Sequence, residues 1–440
     1  MRRRVRTTLT LTTAAALALP LALAAAPAGA DEPAPPAVPL PALDEDTSAV
    51  SRAVVEAAEE ARKQASARTF GAPSETSAKG VHEVKEGLEQ GLDDTVAGVP
   101  VGIVARVDAP GLRWSGAAGT RALDGRGPAL PWDRFRVASN TKSMVATLVM
   151  QEVERGTWSL DTLVVDALPA AADVIPDRYE DQVTLEHLLT HRSGLPDHLG
   201  VLTASRMDDP TDLDEFFEVL GEKYTTADHL AAMAAQDWLF APDTDVSYSN
   251  AGYVLLGLAL EEATGRSLER LLETRVFRPA GMWRSDYPDD PRVRGRSLEG
   301  AAFTGDQGAG WYPLGHFDPS QFGAAGAVTS TTGDLQRFSE ALLTGDLLAP
   351  ETVADVVTPR TVDDDVLPDY GLGVYRLPDP CHEGEWLYGH DGASYGTLSI
   401  NLASPDGERQ VTVALTGRSL VDPAQSDMSA ALVPALLATC

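Results

Sequence analysis

From Arg136 to Gly156 the chain reads RVASNTKSMVATLVMQEVERG, and Lys142 sits where a lysine is unexpected. Met144, Val145, Leu148, Val149 and Val153 recur at the spacing of one helix face, so a helix begins just after Ser139. The first turn of a helix is the positive end of its macrodipole and favours acidic side chains. One of only five lysines in the chain is there instead. Ser139 and Lys142 lie three apart, which places both on one helix face within mutual reach. A lysine that is buried beside the positive pole loses proton affinity and can act as the base that activates a serine. The plain alternative is a serine N-cap followed by a solvated lysine.

A second element supports the first. Tyr248-Ser249-Asn250 lies in PDTDVSYSNAGYVLLG, a loop entering another apolar helix. The phenol there is suited to move a proton between serine and leaving group, and the Asn250 amide to bind a substrate carbonyl. A third, His390-Asp391-Gly392, follows the aromatic strand EWLYG, where Gly392 would let backbone approach a ligand closely. H-x-G recurs at His198 and His382, but only at His390 does it end one strand with another to follow.

The surrounding chain narrows the class. Its 440 residues are 43% apolar, which suits a globular protein with a sizeable core. A net charge of −30 disfavours a nucleic-acid partner, since phosphate binding needs clustered cations. Arg2, Arg3, Arg4 and Arg6, the Ala/Leu-rich run Leu9 to Ala26 and Ala28-Gly29-Ala30 read as a secretory signal peptide over 1–30. The expected location is therefore secreted, in the cell-wall space, with no membrane span once the signal is removed. No cysteine near that cleavage site supports a lipid anchor. Asp31 to Gly80 reads as a spacer. It opens with the proline-rich DEPAPPAVPLPAL and includes an isolated amphipathic helix at Ala49 to Arg68. In an exported protein the even pair Cys381 and Cys440 reads as a disulfide.

From 81 to 440 the pattern is that of one serine-hydrolase domain. Val99 to Val107 reads as a strand, the stretch from Ser139 to Leu343 is mainly helical, and Trp386–Gly389, Leu398–Leu402 and Gln410–Leu415 return to strands before a last helix. The fold class is mixed α/β: an antiparallel sheet flanked by helices, with an all-helical lobe and a cleft between them.

Two rival sites fail on their own terms. Gly392-Ala393-Ser394-Tyr395-Gly396 spells G-x-S-x-G, but that elbow needs a helix after the serine and a later histidine. Here a strand follows, and no histidine lies beyond His390. His187 and His191 are four apart as zinc ligands can be, yet the H-E-x-x-H glutamate is missing. No metal or cofactor is expected.

The segments DRFRVASNTKSM, LLTHRSGLPD, YSNAGYVLLG, GAVTSTTGDLQRFSEALL, YGLGV and YGHDG, in this order, resemble the serine penicillin-recognising family of penicillin-binding proteins and β-lactamases. Within it the resemblance is strongest to secreted actinomycete D-Ala-D-Ala carboxypeptidases. It implies a β-lactamase/transpeptidase-like fold and an acyl-enzyme on Ser139, with Lys142 and Tyr248 as the proton-transfer pair. Asn250, His390, Gly392 and the Ala393 N–H would then edge the substrate and oxyanion site, and the family's cysteine pair matches Cys381 and Cys440. The implied activity is D-Ala-D-Ala carboxypeptidase acting on peptidoglycan stem peptides, with β-lactams as further ligands. Esterase, D-aminopeptidase, class C-type β-lactamase and a weakly catalytic wall-binding module are the alternatives. The chain departs from the carboxypeptidases where they hold the substrate's terminal carboxylate. Tyr375, Asp391 and Ala393 stand at the matching positions, and Arg376 is one step along, a shift that points to the opposite face of a strand.

Overall fold

Six strands carry the site: β1 Gly102–Ala109, β2 Leu112–Gly119, β3 Tyr375–Pro378, β4 Trp386–Ala393, β5 Leu398–Ala403 and β6 Gln410–Leu415. They form one antiparallel sheet in the order β2-β1-β6-β5-β4-β3, so strands from the two ends of the chain pair through β1 and β6. This is a computed structural model, and it describes residues 43–68, 78–97, 99, 101–305, 310–361, 367, 369–421 and 426–440. The expected signal peptide and the proline-rich run before Leu43 lie outside the described residues.

Helices cover both faces of the sheet. On one face lie α1 Leu43–Arg68, α2 Ala78–Thr95 and α6 Ser429–Leu437; on the other lie α3 Asn140–Glu154 and α5 Thr332–Leu343. Alternation assigns the side chains. Ile103, Ala105, Val107, Ile400, Leu402, Val411 and Val413 enter the core under α6, whereas Val104 and Ala414 enter the core under α3. With both faces covered, every residue of β5 and β6 is buried. The helical middle of the chain, including α4 Asn250–Thr264, packs around α3, whose first thirteen residues are all buried.

Two elements differ from the sequence reading. β2 (LRWSGAAG) has the small residues that disfavour strands, yet a turn with Gly111 at φ +83 folds it onto β1. Its Trp114 ring lies over Gly116, where a Cβ would meet ring carbon at 2.3 Å. The helix read as isolated within the 31–80 spacer starts at Leu43 and is not isolated: Val54, Ala57, Ala58 and Ala61 are buried, and α1 packs on α6, β4 and β3. Alanine at three of these positions gave a weak apolar signal, because small side chains mark close helix approach more than hydropathy. The Cys381–Cys440 disulfide ties the end of α6 to the β3–β4 connection, with Cα atoms 4.9 Å apart.

Candidate active site

Phe135–Arg136 pairs with Thr329–Ser330, and the Val137 N–H donates to Val328 O, which anchors the chain entering α3. Ala138 then turns with φ +48, a left-handed conformation that is unfavourable for alanine and is held here by the packed surroundings. Ser139 follows at the N-cap of α3 but makes no side-chain capping bond. A serine there ordinarily accepts from the first-turn N–H groups. Here its Oγ lies 3.0 Å from Lys142 Nζ instead.

Lys142 is fully buried. Its Nζ has three oxygen neighbours: Ser139 Oγ, Asn250 Oδ1 at 2.7 Å and Ala325 O at 2.9 Å. A neutral amine has two N–H groups and one lone pair. If the N–H groups serve Asn250 and Ala325, the lone pair faces the Ser139 hydroxyl. The ammonium formed by taking that proton finds an acceptor for each of its three N–H groups. Burial lowers the Lys142 pKa from 10.5 to about 7, against the opposing pull of Asp197 and Asp391. The amine also lies over the rings of Tyr248 and Tyr253, at 4.7 and 5.5 Å.

Tyr248 is buried, and its hydroxyl makes no hydrogen bond of good geometry. Burial pushes the phenol well above its ordinary pKa, and the neighbouring Ser139 only partly offsets that. The phenol is therefore a neutral acid near pH 7, while Lys142 is the group poised to accept a proton. His191, itself at φ +61, stacks on Tyr248 with centroids 4.3 Å apart and accepts from the Ser249 N–H through Nδ1. His187 Nδ1 is held by Thr184 in a helix cap. The two histidines thus serve structure, each through its own partner. Among the described residues one group could offer metal donors, Asp379, Cys381 and His382, but its sulfur is in the disulfide.

β4 supplies the facing edge. It runs past the end of β3, whose last contact is Tyr375 opposite Gly389. Residues 390–393 therefore have a neighbouring strand, β5, on one side only. The Ser394 N–H donates to Thr397 O, so by antiparallel alternation Ala393 falls at a non-hydrogen-bonded pair, and its N–H points away from β5 to the open edge. A Cβ on Gly392 would lie 2.2 Å from Val137 O and 3.1 Å from Ser139 N. Glycine was expected here for close approach to a ligand; the close approach is to the backbone of the serine turn. Asn140 Nδ2 donates to Ser399 Oγ, which donates to Val137 O, binding the same turn to β5.

Asn250 was expected to hold a substrate carbonyl. In this structure Lys142 takes its oxygen, and its Nδ2 donates to Asp197 Oδ2 at 2.7 Å. His390 is buried, contacts the Tyr370 hydroxyl at 3.0 Å through Nε2, and has its pKa lowered to about 3, first by burial and then by Lys142. It is a neutral ring. Tyr375 lies beside Asp391, whose charge adds to burial in raising the phenol pKa. Arg376 is turned away: its guanidinium covers the Trp386 ring at 3.8 Å and pairs with Asp369. Of the residues around Lys142, the sequence assigns no role to Asp197 or Ala325, and offers His191 only as a zinc ligand beside His187. Asp197 stood within LLTHRSGLPD, but nothing in the order of residues joins it to Asn250, 53 positions on.

The fold and this grouping define a serine hydrolase of the S-x-x-K class. The family model described as Beta-lactamase matches residues 88–433, and the chain belongs to that family. Penicillin-binding protein 4 of Amycolatopsis lactamdurans is 31% identical over 66% of this chain and 74% of its own length. Esterase EstB of Burkholderia gladioli is 30% identical over 58% of this chain and 72% of its own. A D-stereospecific amidohydrolase from Streptomyces superposes with a TM-score of 0.66 at 27% identity, covering 78% of this chain and 96% of that one.

Proposed function

We propose that this protein is an exported hydrolase that cleaves D-configured amides and esters through an acyl-enzyme on Ser139. The observation that carries the reading is the Lys142 amine, with one oxygen neighbour being a serine hydroxyl released from capping. Lys142 takes the Ser139 proton as Oγ attacks the carbonyl. The N–H groups of Ser139 and Ala393 hold the oxyanion, and the neutral Tyr248 phenol donates to the leaving group. Water then attacks the ester with the same groups reversing roles. Export is inferred from the basic, apolar leader and agrees with the Cys381–Cys440 bridge.

The choice of substrate rests on what surrounds the open β4 edge. A free terminal carboxylate needs a cation or several donors. Here His390 is neutral and Arg376 is committed elsewhere, and Asp391, if ionised and facing the cleft, opposes a second anion. At an effective dielectric near 20, like charges ~6 Å apart repel by roughly 3 kcal/mol. Peptides ending in D-Ala-D-Ala, as in peptidoglycan stems, are therefore cleaved less efficiently than matched amides or esters, and β-lactams acylate slowly. The names of the relatives, a D-stereospecific amidohydrolase and an esterase among them, agree with such donors. Comparing kcat/KM for one D-peptide as free acid, amide and methyl ester tests this. A preference of about tenfold or more for the amide or ester is expected; a tenfold preference for the acid overturns it.

A further inference from the structure

We propose that Asp197 is a positioning residue, fixing the Asn250 amide so that the Lys142 lone pair can point only at Ser139. The proposal rests on the reading of Ser139 as nucleophile and Lys142 as base. Its geometry is a continuous buried chain. Asp197 Oδ2 accepts from the Asn250 backbone N–H at 2.6 Å and from Asn250 Nδ2 at 2.7 Å, and Oδ1 accepts from the Leu199 N–H at 2.8 Å. Asn250 Oδ1 then lies 2.7 Å from Lys142 Nζ, which is 3.0 Å from Ser139 Oγ. All four side chains are less than a tenth exposed.

An amide side chain can fit its site in either of two orientations, and only its hydrogen-bond partners select one. With Nδ2 held by Asp197, Asn250 must present its oxygen to Lys142. Rotated by 180°, it would present N–H groups to the amine and capture the lone pair that Ser139 requires. Burial raises the Asp197 pKa, while the three N–H donors that converge on it and the nearby Lys142 favour the carboxylate. Its charge also favours the Lys142 ammonium, so it acts on the base through geometry and through its field.

These two effects separate experimentally. Lys142 also faces Asp391 and His390 of β4, His191, and the phenols of Tyr248 and Tyr253. Burial and Lys142 hold both histidines below their ordinary range, and burial holds both phenols above theirs, on either side of the Lys142 titration near pH 7. The acid limb of acylation near pH 7 is assigned to Lys142, and Asp197→Asn, which cannot titrate at that position, tests the assignment. Asp197→Asn can keep its oxygen toward Asn250 while losing the charge. Asp197→Ala loses both.

The test is the burst rate of acylation by p-nitrophenyl acetate, per titrated active site, from pH 5 to 9, with Ser139→Ala as control. In Asp197→Asn the acid limb moves down by about one pH unit while the plateau stays within about tenfold of wild type. In Asp197→Ala the plateau falls about a hundredfold with KM little changed. If Asp197→Ala does not fold, the limb in Asp197→Asn decides alone. A merely structural Asp197 would lower thermal stability and the active fraction, leaving the limb and the rate per active site in place; that result overturns the proposal. Acylation that persists in Ser139→Ala would instead overturn the underlying reading of the site.

Discussion

On one side of the β4 edge the groups bonded to Lys142 complement one another: Ser139, Asn250 and Ala325 around the amine, and Asp197 behind the amide. On the other side, Tyr375 and Asp391 are set together as phenol and acid, with Arg376 turned to Asp369 and Trp386. The first side tolerates little change, because each donor fixes the next. The second reaches the base through the charge of Asp391, which favours the Lys142 ammonium. On the function proposed above, the first region sets what reaction occurs and the second on what, and the two should fail differently when altered.

The largest effect is expected at Lys142. Lys142→Met should lower kcat/KM by about a thousandfold or more, since the base is lost while the fold is kept. It should also raise stability at neutral pH. The folded-state pKa near 7 lies below the ordinary 10.5, so unfolding takes up a proton between those values, and wild-type stability rises with pH across that window. The methionine variant removes that penalty. Its advantage, on the order of 2 kcal/mol once the acceptors left without a donor are counted, should be greatest below pH 7, vanish near roughly pH 8.5 and reverse above it. Denaturant melts of both proteins at pH 6.5 and 9.5 check the sign; an unchanged difference between the two pH values would mean that Lys142 is not held against its charge.

A smaller and opposite kind of change is expected on the other side. Tyr375→Arg with Asp391→Thr should leave ester turnover within about threefold while improving the free acid by about thirtyfold, because a cation and a hydroxyl replace a phenol and an acid. If the double variant loses ester and acid turnover together, the two sides are not separate, and Asp391 takes part in the chemistry through its field on Lys142.

Much of this was legible in the sequence, for physical reasons that also mark its limits. The helix spacing of Ser139 and Lys142 is local, so three residues suffice to predict their contact; the alternation in β5 and β6 marks strands but hides that their polar face, with Ser399, Asn401 and Thr412, is buried too. The turn of Arg376 away from the site follows from the two-residue period of a strand. What stayed hidden depends on contacts between distant segments. Asp197 gains its role from α4, and Gly392 is required by Val137 O rather than by a ligand. Alanine-rich α1 looked like spacer because close packing of small side chains leaves little periodic signal.

Peptide mapping after reaction with a fluorophosphonate, run on wild type and on Ser139→Ala at pH 8, tests the central claim most directly. A single adduct on the peptide carrying Ser139, with no labelling and no turnover in the alanine variant, is the expected result. An adduct on Ser394, with the alanine variant still active, would contradict it.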